Sequence, residues 1–234
     1  MTPWLAEFTG TALLIILGDG VVANVVLHKT KGNNSGLIVI AFGWAMAVFL
    51  GVYTSAASSG AHLNPAVTLA LAFIGKFSWT QVPVYMAAQV AGAFAGAIVV
   101  WLAYKQHFDE TADASLQLAV FSTSPAIRSW PHNLATEIIG TFVLIYGVLH
   151  IAAPAQSLGT LDALPVSLLV LGIGLSLGGP TGYAINPARD LGPRLAHAVL
   201  PIRGKGHSDW PYAWVPIAGP LAGALLAAIA FKYL

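Results

Sequence analysis

The residues with the clearest potential for chemistry form two copies of the triplet Asn-Pro-Ala. The copies occupy Asn64, Pro65, Ala66, Asn186, Pro187 and Ala188. Each follows a glycine-containing approach, Ser-Gly-Ala-His-Leu in the first copy and Thr-Gly-Tyr-Ala-Ile in the second. Asparagine is a favourable N-cap, and proline is tolerated in the first helical turn because its missing N–H would have no partner there. The matched contexts predict two related sites, each at the start of a helix.

The other polar residues do not form a catalytic set. The chain has no cysteine, which excludes disulfides, thiolate catalysis and cysteine-based metal sites. No phosphate-binding loop is present, and His62 has no second histidine or carboxylate beside it at metal-ligand spacing. We therefore predict no enzymatic activity, no cofactor and no metal, and we expect His62 to brace its loop.

The elements that position the triplets are predicted to lie in a lipid bilayer. Of the 234 residues, 57% are hydrophobic and only 8% are charged, and the mean hydropathy is +0.76, so the chain lacks the polar surface of a water-soluble globule. A transmembrane helix needs roughly 20 mainly apolar residues. Spans of this kind are predicted at 5–27, 37–57, 82–104, 134–154, 164–178 and 213–234, and the fifth could begin nearer Leu158.

The charge distribution argues against a nucleic-acid partner. Ten basic and nine acidic residues give a formal net charge of +1, with no basic stripe interleaved with aromatic residues. The first apolar stretch lacks the basic region of a secretory signal and is too long for a signal core. We expect it to remain in the protein as a span.

Three pairs of segments recur in the same order in the two halves of the chain. The first pair lies at 6–11 and 136–141, the triplets follow, and the third pair lies at 91–97 and 218–224. Each half contributes three spans, and this odd number makes the second half enter the membrane from the opposite side. We predict a first inverted repeat at 1–104, an inter-repeat loop at 105–131 and a second inverted repeat at 132–234.

The segments that begin with the triplets, 64–75 and 186–199, have a helical pattern but are too short to cross the bilayer. Gly60 and Gly182 precede them and suit non-helical backbone. Irregular backbone at membrane depth is stable only when it is buried in protein or lines a water-filled cavity. Two opposed half-helices that meet near the midplane therefore imply a pore.

Glu7 and Glu137 are ionisable residues at matching positions of the first and fourth predicted spans. A carboxylate inside the membrane is unfavourable without partners. We expect both to accept hydrogen bonds from backbone N–H groups of the approach loops and so to brace those loops. The alternative for Glu7 is a first-turn position favoured by the helix dipole.

Together these residues resemble the major intrinsic protein family, the aquaporins and glycerol facilitators, over essentially the whole chain. The resemblance implies an all-α membrane fold of six transmembrane helices plus two re-entrant half-helices in an inverted repeat. It also implies a homotetramer with one pore per subunit, and Asn64 and Asn186 as hydrogen-bond donors to the solute. The acceptor carbonyls of the pore would belong to Gly60, Ala61, His62, Leu63, Gly182, Tyr183, Ala184 and Ile185.

The family's outer constriction, its selectivity filter, is formed by four positions. By the resemblance these are Trp44, Gly174, Tyr183 and Arg189. At these positions, water-selective members of the family typically carry Phe, His, Thr and Arg, whereas glycerol facilitators typically carry Trp, Gly, Phe and Arg. By the resemblance, only Tyr183 departs from the glycerol-facilitator pattern. Asp190 and the segment Phe121-Ser122-Thr123 are also typical of glycerol facilitators.

The resemblance implies a passive channel in the cell membrane for glycerol and other small uncharged solutes, which also passes water and excludes protons and ions. Trp44 and Tyr183 would face the carbon side of glycerol and Arg189 its hydroxyls, while Gly174 makes room. One alternative is a water-selective channel in which Tyr183 blocks glycerol. A secondary transporter is a third, since inverted repeats with broken helices also build transporters.

The family topology places both termini in the cytoplasm, and this conflicts with the distribution of basic residues. It would leave six of them outside, Lys29, Lys31, Lys105, Arg128, Arg203 and Lys205. Only Lys76 and Lys232 would lie inside, against the positive-inside rule. We follow the family topology because the paired motifs are more specific than a small count of charges.

Overall fold

The computed structural model describes residues 1–151 and 159–233, and these residues form nine α-helices and no strand. The helices are α1 (Pro3–Val26), α2 (Leu37–Ser59), α3 (Pro65–Phe73), α4 (Val82–Glu110), α5 (Ala114–Phe121), α6 (Trp130–Ile151), α7 (Ala163–Thr181), α8 (Pro187–Val199) and α9 (Val215–Tyr233). The predicted end of the fourth span, 152–154, and Leu234 lie outside the described residues.

Six of these helices are long and apolar enough to cross a membrane: α1, α2, α4, α6, α7 and α9. They correspond to the six predicted spans and confirm the all-α membrane fold. The largest extensions beyond the predicted C-terminal ends are those of α4, which continues to Glu110, and α7, which continues to Thr181. The extra turns of α4 are polar and include the i,i+4 ion pair of Lys105 with Asp109, so hydropathy alone did not reveal them.

The segment 105–131, predicted as a connecting loop, is partly helical. It contains the end of α4 and all of α5, whose N-cap is Asp113. The side chain of Gln117 is buried and donates to the backbone oxygens of Phe108, Thr111 and Arg203. α5 packs against α1 and α8. An eight-residue helix is too short to be stable alone, so these tertiary contacts hold it and the local sequence did not reveal it.

The transmembrane helices form two three-helix groups, α1–α2–α4 and α6–α7–α9, which meet through α2 and α7. Glycine allows the closest approach within each group. A Cβ at Gly92 of α4 would lie 2.2 Å from the Phe8 oxygen, and one at Gly223 of α9 would lie 2.4 Å from the Ile138 oxygen. The short helices cross between the groups, since α3 packs against α9 and α8 against α4.

Candidate functional site

Both half-helices begin directly after the asparagine of a triplet. Asn64 caps α3, and its Oδ1 accepts a hydrogen bond from the Ala66 N–H at 2.8 Å. Asn186 caps α8, and its Oδ1 accepts from the Ala188 and Arg189 N–H groups at 3.0 and 3.2 Å. The predicted N-caps are confirmed, and each cap leaves the amide nitrogen free to bond elsewhere.

The two half-helices are joined end to end through these amide nitrogens. Asn64 Nδ2 donates to the Ile185 oxygen, and Asn186 Nδ2 donates to the Leu63 oxygen, both at 2.9 Å. Each amide nitrogen carries two N–H groups, so one on each asparagine remains beyond these bonds. The carbonyls of Leu63 and Ile185, predicted as acceptors in the pore, are therefore shared with the opposite asparagine.

The two approach loops have the same unusual backbone. Positive φ values, between 37° and 82°, occur at Gly60, Ala61, Leu63, Gly182, Tyr183 and Ile185. A residue other than glycine in this region costs about 1–3 kcal/mol, so such a loop persists only when its surroundings fix it. Because the positive φ values fall at equivalent positions, the two approach loops have the same backbone conformation.

Glu7 fixes the first approach loop. Its two carboxylate oxygens accept hydrogen bonds from the His62 and Leu63 N–H groups at 2.9 and 2.7 Å. The same carboxylate accepts from Ser59 Oγ and Gln89 Nε2. Sequence reasoning did not identify Gln89, although a polar residue inside an apolar span is itself a signal.

Glu137 fixes the second approach loop in the equivalent way. Its carboxylate accepts from the Ala184 and Ile185 N–H groups at 3.0 and 2.9 Å, and from Thr181 Oγ1 at 2.7 Å. Glu7 and Glu137 are 0% and 1% exposed. The expected contacts of both carboxylates with loop N–H groups are present, and the strained loops are held by buried charge-assisted hydrogen bonds.

A cavity of about 660 Å³ runs along the two loops. Both triplet asparagines border it, as do seven of the eight residues whose carbonyls were predicted to face the pore. Gly182 does not border it; it is the C-cap of α7. The cavity extends to Ile151 and Ala163, at the end of α6 and the start of α7. Its volume lies in the range of small-molecule sites.

Three of the four predicted constriction residues, Trp44, Tyr183 and Arg189, border this cavity together. The Arg189 guanidinium carbon lies 4.2 Å from the centroid of the Trp44 ring, a cation–π contact. Arg189 Nη1 also donates to the Phe121 oxygen at 3.4 Å. A guanidinium has five N–H donors, so most of them have no hydrogen-bond acceptor among the described residues.

Gly174, the fourth predicted position, does not border the cavity because the Tyr183 ring covers it. A Cβ at Gly174 would lie 2.9 Å from Tyr183 Cζ, and one at Gly178 would lie 2.7 Å from Tyr183 Cδ1. The room left by Gly174 therefore accommodates the tyrosine ring rather than a solute. Tyr183 Oη is buried without a hydrogen-bond partner in the part of the chain that the structure describes.

Asp190 links α8 to the segment Phe121-Ser122-Thr123. Its Oδ2 accepts from both the N–H and the Oγ1 of Thr123 at 2.8 Å, and its Oδ1 accepts from Arg194 Nε at 2.8 Å. Further along, Lys205 Nζ donates to three carbonyls at the C-terminal end of α8, and burial lowers the pKa of this lysine. The second half-helix is thus held at both ends.

His62 has the bracing environment that we expected. Its Nδ1 lies 3.1 Å from Thr68 Oγ1, and its ring packs against Phe77 and Tyr85. Within residues 1–151 and 159–233, no group of three potential ligands could hold a metal ion.

Comparisons with known proteins agree with this geometry. A sequence profile of the family described as Major intrinsic protein matches residues 1–231. A probable glycerol uptake facilitator protein of Thermotoga maritima is 61% identical over 234 residues, which is the whole of both chains. The glycerol uptake facilitator protein of Bacillus subtilis is 52% identical over 99% of this chain and 84% of its own.

The X-ray structure of the aquaglyceroporin from Plasmodium falciparum superposes with a TM-score of 0.89 at 33% identity. The match covers 99% of this chain and 95% of that one. The paired half-helices and the cavity beside them therefore occur in a fold shared with a solved relative.

Proposed function

The chain belongs to the major intrinsic protein family, and we propose that it is a passive channel through which glycerol, other small uncharged solutes and water cross the membrane. One observation carries the proposal: Trp44, Tyr183 and Arg189 border one cavity, so that two aromatic rings and an arginine face the same path. Its relatives named as glycerol uptake facilitators support glycerol as the solute.

Glycerol is amphipathic, with hydroxyls along one edge and C–H groups along the other. The unpaired N–H donors of Arg189 and the loop carbonyls would bind the hydroxyls, while the rings of Trp44 and Tyr183 would contact the carbon chain. A buried hydroxyl without a partner costs about 1–3 kcal/mol. A solute with hydroxyls on one side therefore fits this path, and one with hydroxyls on both sides is rejected.

At the meeting point of the half-helices, the remaining N–H of Asn64 and of Asn186 would donate to the passing solute. The Glu7 and Glu137 bonds keep the loops in the strained conformation that this path needs. The carbonyls of Leu63 and Ile185 already accept one hydrogen bond each, and a carbonyl oxygen has a second lone pair for the solute.

Two positive fields would exclude ions. Arg189 is one, and the N-terminal ends of α3 and α8, which meet at the asparagines, are the other. The guanidinium carries a full positive charge and the helix ends carry partial ones, and both lie close to the solute path. We therefore propose that cations and protons do not pass.

We also propose that the chain consists of two inverted repeats, 1–104 and 132–234, that it forms a homotetramer, that both termini are cytoplasmic and that it has no enzymatic activity. The paired N-caps, the paired carboxylate braces and the repeated positive-φ pattern support the two repeats. Its relatives are named as facilitators, which supports transport rather than catalysis.

Stopped-flow light scattering on proteoliposomes tests the function. After mixing with glycerol, we expect rapid shrinkage as water leaves and then rapid re-swelling as glycerol enters. An impermeant sugar should give shrinkage without re-swelling, and protein-free liposomes of equal size should re-swell slowly. Fast water exit with glycerol re-entry no faster than in protein-free liposomes would contradict the proposal and indicate a water-selective channel.

A further inference from the structure

Helix α1 supplies none of the four predicted constriction residues, yet the indole of Trp44 packs directly against Gly18 of this helix. A Cβ at Gly18 would lie 2.3, 2.4 and 2.5 Å from Cζ3, Cη2 and Cε3 of Trp44. These atoms belong to the six-membered part of the indole, so the ring lies against the backbone of α1 at this position. Any side chain at Gly18 must displace the ring, since contacts under 3.0 Å are not tolerated.

The next residue of α1, Asp19, faces the arginine of the same constriction. Asp19 Oδ1 lies 3.8 Å from Arg189 Nη1, and the Asp19 side chain is 0% exposed. Neither oxygen of this carboxylate has a hydrogen-bond partner among the described residues. Glu7 and Glu137, the other buried acids of the spans, accept several hydrogen bonds each. The positive charge of Arg189 is therefore the interaction that offsets the cost of burying the Asp19 carboxylate in an apolar helix.

The surroundings of Arg189 leave Asp19 as its counter-ion. The guanidinium touches the Trp44 ring on one side and the Phe121 oxygen on another. Asp190, the adjacent acid in the chain, directs its carboxylate to Thr123 and Arg194 instead. Asp19 is thus the carboxylate that can draw Arg189 toward α1.

We propose that Gly18 and Asp19 form the back wall of the constriction and set its solute specificity. Gly18 seats the Trp44 indole, and Asp19 draws the Arg189 guanidinium toward α1 and out of the path of the solute. Neither residue borders the cavity, so both are positioning residues that act through Trp44 and Arg189. This inference rests on the proposed function, because it concerns how the same constriction admits glycerol.

The substitution Asp19→Asn keeps the size of the side chain and removes its charge. The guanidinium then loses its counter-ion and moves toward the solute path, which narrows the opening for glycerol more than for water. We expect the ratio of glycerol to water permeability to fall by about tenfold, a change equivalent to 1.4 kcal/mol. Once the permeabilities of protein-free liposomes are subtracted, this ratio does not depend on how many channels fold, so a general loss of folded protein leaves it unchanged.

Two controls match the test. Asp109→Asn removes the same charge from an aspartate that pairs with Lys105 at the end of α4, and should leave the ratio unchanged. Gly18→Ala should lower the ratio by displacing Trp44, whereas Gly20→Ala, whose Cβ would have no atom within 4 Å, should not. The glycine pair tests the back wall even if the Asp19 variant does not fold.

A double-substitution cycle shows whether Asp19 acts through Arg189. In an Arg189→Val background, Asp19→Asn should no longer change the ratio. An unchanged ratio in the single variant, or an equal change in both backgrounds, would overturn the proposal. If the parent protein passes water but not glycerol, the proposed function fails. The role of Asp19 can still be tested in that case by the activation energy of water flux, and an unchanged activation energy in Asp19→Asn would overturn that role.

Discussion

A side chain at Gly174 is expected to restrict glycerol more than water. In the substitution Gly174→Ala, the new Cβ would lie 2.9 Å from Cζ and 3.0 Å from Oη of Tyr183, and 3.2 Å from the Cβ of Ala41. The contact with Ala41 limits movement toward α2. The Tyr183 ring must therefore move away from α7, toward the cavity that it borders.

The size of this movement follows from the contact distances. Carbon atoms pack best at about 3.5–4.0 Å, so the ring must shift by about 0.5–1 Å. Forcing a side chain out of a well-packed position costs about 1–3 kcal/mol. If the barrier to glycerol rises by the lower part of this range, its permeability falls by about tenfold. Water has a smaller cross-section, and we expect it to lose less than about threefold.

The assay compares glycerol and water permeability of the variant and the parent in the same liposome preparation. Gly172→Ala and Gly179→Ala are matched controls on the same helix, because a Cβ at either position would have no atom within 4 Å. Adding Tyr183→Ala to Gly174→Ala removes the displaced ring without placing a β-branched residue at the positive φ of position 183, and should restore glycerol flux. Equal loss of both solutes in Gly174→Ala, or no recovery in the double variant, would refute this reasoning.

Three further substitutions have distinct expected results. Tyr183→Phe removes a buried hydroxyl that has no partner among the described residues. It should raise the free energy of unfolding by about 1 kcal/mol and leave the glycerol-to-water permeability ratio within about twofold of the parent value. A large rise in glycerol flux would instead mean that the hydroxyl obstructs the path. Glu137→Gln puts an amide opposite the Ala184 and Ile185 N–H groups. Thermal unfolding in detergent should then show a loss of about 1–3 kcal/mol in the free energy of unfolding, and glycerol and water flux should fall together. Unchanged stability would contradict the bracing role. Lys205→Met removes the donor to three carbonyls at the end of α8 and should lower the unfolding temperature, whereas Lys31→Met, at an exposed loop position, should not.

Two kinds of feature could be predicted from the sequence: contacts between residues close together in the chain, and groups whose burial would be strongly unfavourable without specific partners. The caps at Asn64 and Asn186 follow from the residue types alone, because an N-cap bond joins residues two or three positions apart. The environment of Glu7 and Glu137 could be anticipated because a buried carboxylate requires donors, and the strained loops supply them.

The parts that could not be predicted depend on which side chain fills a given space. Gly174 appeared to open room for a solute, but the ring of Tyr183, nine residues later, lies over it. The contact of Gly18 with Trp44 and the pairing of Asp19 with Arg189 join residues 26 and 170 positions apart. No local pattern encodes such contacts. The repeat does not help, because the positions after Glu137 that correspond to Gly18 and Asp19 are Val148 and Leu149.

The temperature dependence of glycerol flux tests the passive-channel account most directly. Proteoliposomes would be followed over a range of temperatures and glycerol concentrations, with and without a proton or sodium gradient. A channel predicts a low activation energy, a flux that rises linearly with concentration and no response to either gradient. A high activation energy with saturable, gradient-driven flux would contradict the account and indicate a secondary transporter.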